Sequence, residues 1–373
     1  MASSRAAPMV NHGLTNARMP LQDAKHLIVG AGLSGLALAA RMSVAGADYQ
    51  LVESRDRIGG RILSEPLGDP SGAAIDLGPS WIWPGQPRVL ALARRFSLRL
   101  FEQYAQGDGL FEDGQGVQRG RGFASMAGSY RIEGGVDHLV RALRGELNDR
   151  HVHLSQRLNT LRLADGVLAR FEGGEEHRFE RVVLCLPPRV AAERITFDPA
   201  LGPSALQAMR AIPTWMAGHA KAVAVYERAF WREAGLAGDA MSRRGPLAEI
   251  HDASPAEGGP GALFGFFGLP PDERDAAEDL EGDVLRQLGR LFGPGAASPL
   301  ALRIQDWARE IDTAVELDHA RTYGHPEYGL PSALVDLWDG ALTLASTETA
   351  PAFGGYLEGA LEAAERAAAT LLR

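Results

Sequence analysis

Apolar positions open the chain with a short unbroken run, Leu27-Ile28-Val29, of the length and composition expected for a buried parallel strand. The run passes into Gly30-Ala31-Gly32-Leu33-Ser34-Gly35 and then into Leu36-Ala37-Leu38-Ala39-Ala40-Arg41-Met42, a helix-forming stretch with no breaker before Gly46. Residues 49–52 predict a second short strand that ends on an acid, Glu53. Strand, glycine turn, helix, strand and acid make up a complete dinucleotide-binding unit. Gly30 serves the tight turn, Gly32 lets the backbone approach a pyrophosphate, and Gly35 lets the helix sit close to the strand. The helix start, with the backbone of Ala31 and Ser34, offers N–H groups and a partial positive charge to phosphates. Glu53 is suited to accept from a ribose hydroxyl, and its charge disfavours a 2′-phosphate.

The pattern downstream predicts a strand at 73–77 that runs into a Gly78-Pro79-Ser80 turn with Trp81 and Trp83 behind it. It predicts short helices at 89–97 and 136–147, with a glycine-rich loop at 107–128 before the second of them. Alternating stretches at 152–154, 166–171 and 181–186, with turns at Asp165-Gly166 and Gly173-Gly174, read as a three-stranded meander stopped by Pro187-Pro188. Strands follow at 220–226, 247–251, 263–267, 300–307 and 341–345. An amphipathic helix is expected at 276–292 and a last helix from 355 to the end. No internal repeat is present. The expected fold is α/β: a Rossmann-like nucleotide-binding domain of residues 23–83, 131–199 and 308–373, with an inserted α+β substrate domain of residues 84–130 and 200–307. Residues 1–22 read as a loosely held tail.

Composition narrows the functional classes. A chain of 373 residues with a formal charge of −9 does not offer a nucleic-acid surface. The single cysteine, Cys185, fits a reducing compartment and reads as inert core. The tail has no sustained apolar block and no stretch reaches the length of a membrane span, so a cytoplasmic protein without membrane contact is expected. His151 and His153 alternate along one stretch without a third ligand, so no metal is expected, and hydrolase and zinc motifs are missing. Two features stay open on the residues alone. The Gly59-Gly60-Arg61 loop is either a phosphate contact or a solvated basic turn. Lys221, inside the apolar stretch 220–226, is either a snorkelling strand lysine or a functional group, and a lysine inside an apolar strand is otherwise costly.

Taken together the motifs resemble those of the flavin-dependent amine oxidases of the monoamine and polyamine oxidase type, in their soluble bacterial form. Four blocks carry the resemblance in the family's order: Ile28 to Gly35; Leu51-Val52-Glu53-Ser54-Arg55 through Gly59-Gly60-Arg61; Asp76-Leu77-Gly78-Pro79-Ser80-Trp81; and Ala345-Ser346-Thr347-Glu348-Thr349-Ala350 followed by Gly354-Gly355-Tyr356-Leu357-Glu358-Gly359-Ala360. The resemblance implies an amine oxidase or glutathione-reductase type of architecture and FAD as cofactor. It implies Glu53 at the adenosine ribose, Arg55 and Arg61 along the pyrophosphate, Leu158 at adenine, and Thr347 and Glu348 near the ribityl or phosphate region. Gly78, Pro79, Ser80 and Trp81 would pass beside the flavin, and the helix starting near Gly355, Tyr356 and Leu357 would face its N1/O2 edge. Lys221 would hold a water at flavin N5, and Tyr356 would form one wall of an aromatic cage. Trp307 would pack near the flavin ring, or serve as ordinary core.

The departures are informative too. No cysteine occurs in residues 308–315, so FAD is expected to be non-covalent. The second cage wall has no clear match, with Val315 and Tyr323 as candidates, and Ser346 replaces a usual glycine. The resulting expectation is oxidation of an amine C–N bond with O₂ as acceptor, giving H₂O₂, with the oligomeric state left open and a homodimer as the candidate. A desaturase or dehydrogenase with another acceptor, or a flavin-bound interaction protein, are the alternatives.

Overall fold

The computed structural model describes residues 20–68, 72–121, 124–256, 259–320 and 324–373. Its first strand, Ala24–Val29, lies parallel between Tyr49–Val52 and Glu176–Leu184. Two short strands extend this parallel core, Val152–His153 beside Tyr49–Val52 and Leu342–Leu344 beside the end of Glu176–Leu184. Leu27–Val29, Tyr49–Val52 and Val182–Leu184 are buried because helices or strands cover both faces. All five strands point the same way, so Gly30, Glu53, Cys185 and Ala345 emerge along one sheet edge. Ligands of open α/β sheets bind at such an edge.

Helix Leu33–Val44 is buried nearly all round, from Leu33 through Ala40 and at Met42. It is gripped between the sheet and the C-terminal helix Leu357–Leu371, whose buried face is largely alanine: Ala360, Ala363, Ala364, Ala367 and Ala368. Small side chains on both helices let their backbones approach closely.

Among the described residues a second sheet has the strand order Ala301–Asp306, Ala220–Tyr226, Gly261–Phe267, Leu247–Asp252, Leu236–Ser242, Asp108–Asp113 and Gly116–Gly120. Helix Leu280–Phe292, capped by Asp279 accepting from Gly282 N at 3.0 Å, packs Val284, Leu288 and Leu291 on one face. The other face carries Val223, Val225 and Phe264 against Ile75 and Leu77 of the first body. Lys221 belongs to the same alternating row as Val223 and Val225 and faces this seam, which buries its ammonium.

Several sequence expectations are corrected. The meander consists of Leu158–Ala164, Gly166–Phe171 and Glu176–Leu184, whereas residues 152–153 join the parallel core. A register shift between Leu158 and Thr160 had masked the alternation of the first of these strands. The supposed loop at 107–128 contains a hairpin, Asp108–Asp113 with Gly116–Gly120, and the strand Leu236–Ser242 was not expected at all. Helices Pro87–Arg95 and Pro203–Ala211 bury Val89, Leu92 and Ala93, and Ala205 and Met209, in the cores flanking the first sheet. Both had been placed with the substrate region. The tail expected at 1–22 lies mostly outside the described residues, as does Tyr323.

Candidate active site

The glycine turn is shaped by contact. A Cβ on Gly35 would lie 1.9 Å from the Gly30 carbonyl oxygen, so only glycine lets the helix seat on the strand end. Gly30 holds φ +104° with its back to the Cys185 carbonyl. Gly32 faces the cavity, where a Cβ would meet only the Gly59 oxygen at 3.8 Å. The helix beginning at Leu33 has no side-chain cap and no acid in its first turn, so its N–H groups are left for an anion. The Ser34 hydroxyl donates to the Ala345 carbonyl and ties this turn to the C-terminal block.

Glu53 is buried at the end of the second strand. Its Oε2 accepts from Ala31 N at 2.8 Å, and its Oε1 from Arg55 N at 3.0 Å and Ser54 Oγ at 3.1 Å. Ala31 is therefore fully buried, with its N–H held by Glu53, and does not line the cavity. Gly35 does not line it either, being packed behind the turn. Gly59 donates to the Ala31 carbonyl at 2.9 Å, which brings the Gly59-Gly60-Arg61 loop against the turn. Arg61 Nη1 lies 2.6 Å from Glu348 Oε1. Glu348 is fully buried behind Arg61, outside the cavity lining, and its Oε2 has no hydrogen-bond partner. Arg55 is turned toward the segment after Trp307, donating to Thr313 Oγ1 at 2.9 Å and Glu310 at 3.2 Å. Arg157 grips Asp312 of the same segment with both amino groups, and Leu158 lines the cavity beside it.

The cavity runs from this end to the seam with the second sheet. Its lining joins the glycine turn, the Gly59-Gly60-Arg61 loop and the Lys221 wall into one elongated cavity, the shape a long cofactor needs. At the far end Gly78, Pro79, Ser80 and Trp81 form one wall, with Lys221 set into it. Lys221 Nζ donates to the Gly78 carbonyl at 2.5 Å, Ser80 Oγ at 3.0 Å and the Asp76 carbonyl at 3.4 Å. It also sits 4.5 Å from the Phe264 ring centroid. Burial pushes its pKa down to about 7, although the Asp76 charge pulls upward. Trp307 lines the same end, its indole N–H donating to the Leu77 carbonyl at 3.0 Å. The opposite wall holds Thr347, Gly355, Tyr356 and Leu357, with Thr347 Oγ1 donating to the Tyr356 carbonyl at 2.7 Å. The structure thus brings together on one cavity all the anticipated residues except Ala31, Gly35 and Glu348, which back it.

Sequence reasoning missed several lining residues. Trp215 and Met216 enter from the loop after Ile212, and Phe266 enters from the second sheet. The aromatic partners of Tyr356 are His325, stacked at 4.8 Å and 17°, and Trp215, at 6.4 Å and 45°. Val315 is buried outside the lining. Cys185, read as inert core, forms part of the cavity wall instead, with a thiol pushed up to about 12 by burial. A cluster of bulky residues outside any periodic stretch, Trp215-Met216, was the one available signal. His151 and His153 bond to Tyr49 O and Gln50, and no metal-binding group occurs among the described residues.

Comparison with known proteins agrees with this geometry. The model of the flavin containing amine oxidoreductase family matches residues 33–121 and 106–372. A protein of Mycobacterium tuberculosis that carries the name flavin-containing monoamine oxidase AofH is 27% identical, over 92% of this chain and 95% of the relative. Its alignment runs over 451 positions, more than this chain has residues, so the relative carries segments that this chain lacks. A Synechocystis protein named L-amino acid dehydrogenase is 24% identical over 95% of this chain and 96% of its own. Among solved structures, wild-type putrescine oxidase bound to putrescine superposes with a TM-score of 0.77 at 21% identity, over 94% of this chain and 99% of that one.

Proposed function

The chain belongs to the flavin-containing amine oxidoreductases, and from that premise we propose that it oxidises the C–N bond of a small amine and passes the electrons to O₂. The cofactor is a flavin, FAD, and the residues present suit it. The uncapped helix start and the Gly32 and Gly60 backbone leave a cradle of N–H groups for a pyrophosphate. Arg61 adds a cation beside that cradle, and the unpartnered Glu348 Oε2 is an acceptor for a hydroxyl of the linking chain. Glu53 stands at the strand end where a ribose hydroxyl is met. The lack of a cysteine at 308–315 makes the attachment non-covalent. When bound, FAD would supply the two-electron acceptor for the α-carbon hydrogen of the amine, with O₂ as the final oxidant and H₂O₂ as its product.

The chain's own residues do the rest. The first sheet holds the cofactor and the second presents the substrate side. Tyr356, Trp215 and Phe266 offer flat apolar faces that orient an amine and exclude water. The N-terminus of Leu357–Leu371 directs its dipole into the cavity and favours negative charge there. Lys221 holds a water at the reacting edge and supplies or takes a proton at Nζ near neutral pH. The observation that carries this reading is Lys221, buried at the seam and held by the Gly78–Ser80 turn, opposite Tyr356 across one cavity. The lone reduced thiol fits a cytoplasmic setting, and no helix among the described residues is long and apolar enough to cross a membrane.

The test is turnover of an amine panel with O₂, monitored by peroxide. Stoichiometric H₂O₂ supports the oxidase. The Synechocystis relative's name favours a second reading, a dehydrogenase. Turnover with a dye acceptor and none with O₂ would replace the oxidase reading with that one.

A further inference from the structure

Asp76 ends the strand Ala74–Asp76, directly before the turn whose oxygens hold Lys221. Its side chain is buried. Oδ1 accepts from Ser64 Oγ at 2.5 Å and from Val136 N at 2.9 Å, while Oδ2 has no hydrogen-bond partner. The same residue's carbonyl accepts from Lys221 Nζ at 3.4 Å, so the residue that carries this carboxylate touches the ammonium through its backbone. The third buried ionisable group here is Arg131, whose guanidinium donates to the carbonyls of Ser254 at 2.8 Å and Ala253 at 3.0 Å. Burial pushes the Asp76 carboxyl above the usual carboxylate range while the charges of Arg131 and Lys221 pull it down, and its second oxygen is not spent on a hydrogen bond.

We propose that Asp76 is a positioning residue for Lys221: it fixes the Gly78–Ser80 turn that grips the ammonium and supplies the countercharge that governs its protonation. This rests on Lys221 being the group that handles the proton in the proposed reaction. The other surroundings of Lys221 are accounted for. Phe264, Phe266 and Trp81 present rings at 4.5, 5.4 and 5.8 Å, and Gln305 lies opposite on the neighbouring strand. Beyond Phe264 and Trp81 stands His251, bonded on its two nitrogens to Asp239 and Glu249, so its charge is matched within its own cluster. Asp76 and Arg131 are left as the charged groups acting on Lys221, with opposite signs: the carboxylate raises its pKa and the guanidinium lowers it.

The composition of the chain supports this and also provides the assay. It has only two lysines, Lys25 and Lys221, against a preponderance of arginine. Arginine stays charged throughout the accessible pH range, whereas a buried lysine can release its proton. The one buried lysine therefore stands where a removable proton is needed, and Asp76 keeps that proton affinity from collapsing.

Protein loaded with FAD and labelled with [¹³C]lysine gives two Cε resonances, the exposed Lys25 serving as the reference. In the parent protein the Lys221 signal is expected to titrate near neutral pH. Asp76→Asn keeps the shape and the Ser64 bond but removes the charge, and the Lys221 midpoint should fall by roughly one pH unit or more. Asp76→Glu should restore much of it. Arg131→Gln should move the midpoint upward, and this opposite shift carries the test if Asp76→Asn does not fold. A purely structural Asp76 would lower the melting temperature and leave the Lys221 midpoint in place, which would overturn the proposal. Because the titration needs no amine substrate, failure here is distinguishable from failure of the amine oxidase reading.

Discussion

Lys221 is the residue on which the proposed chemistry turns, and its burial has a thermodynamic signature. Its folded pKa lies near 7 and its ordinary value is 10.5, so between these limits the unfolded chain binds more protons than the folded one. Stability contributed at this site therefore rises with pH across that window, and the penalty of burying the ammonium is fully present below it. Lys221→Met removes that penalty. The variant is expected to melt above the parent at pH 6, with the gap closing toward pH 10, as read by calorimetry; a gap independent of pH would contradict the assignment. The same substitution should slow re-oxidation of the reduced flavin by O₂ by roughly 10²-fold in stopped-flow, the scale seen when one preorganised donor is removed. Unchanged re-oxidation would strip Lys221 of its role. At this scale the sequence was legible where chemistry is local: a lysine in an apolar strand and glycines in a turn declare themselves. Glu348 and Arg55 were legible as polar residues of the nucleotide blocks, but not in their partners. Glu348 pairs with Arg61, and Arg55 with Thr313 and Glu310, residues brought close only by the tertiary fold.

At the scale of elements, the glycine turn and its helix form the most constrained unit. Gly35→Ala would drive a methyl into the Gly30 carbonyl. It is expected to lower stability by on the order of 1–3 kcal/mol and to release flavin from the purified protein. Gly46→Ala, at positive φ but with open space around it, should cost about 1 kcal/mol and keep the yellow colour. Equal flavin content in the two variants would show that the close packing of helix on strand does not shape the cradle. The parallel core was readable because its strands are short apolar runs bounded by glycines and an acid. One side of the second sheet was not. Leu236–Ser242, with Gly238 and Asp239 inside it, lacks any alternation, and its register against Asp108–Asp113 is interrupted between Leu236 and Ala240. Strands of that kind are defined by their neighbours rather than by their own residues.

For the whole molecule, the distribution of charge along the cavity bears on substrate choice. Among the described lining residues the carboxylates are Glu53 and Asp312, both at the end remote from Lys221. The Lys221 end is lined by Trp81, Trp215, Phe266, Trp307 and Tyr356. A second ammonium would find no countercharge there, whereas an aryl or alkyl group would find flat apolar faces. Arylalkyl monoamines are expected to give a kcat/KM at least roughly tenfold above that of short diamines, the change expected from about 1.4 kcal/mol. Equal values would mean that a carboxylate outside this lining reaches the substrate. This asymmetry could not be read from the chain, because its members come from five separate stretches that meet only at the seam between the two sheets.

The central claim is that an amine delivers its electrons to the flavin at the Lys221 end of this cavity. The most direct measurement is anaerobic mixing of the purified yellow protein with an amine panel, followed by absorbance near the flavin maximum. The account expects bleaching by at least one amine, at a rate that saturates with amine concentration, and recovery of the absorbance with release of H₂O₂ when O₂ is admitted. A flavin that stays oxidised with every amine in the panel would contradict it.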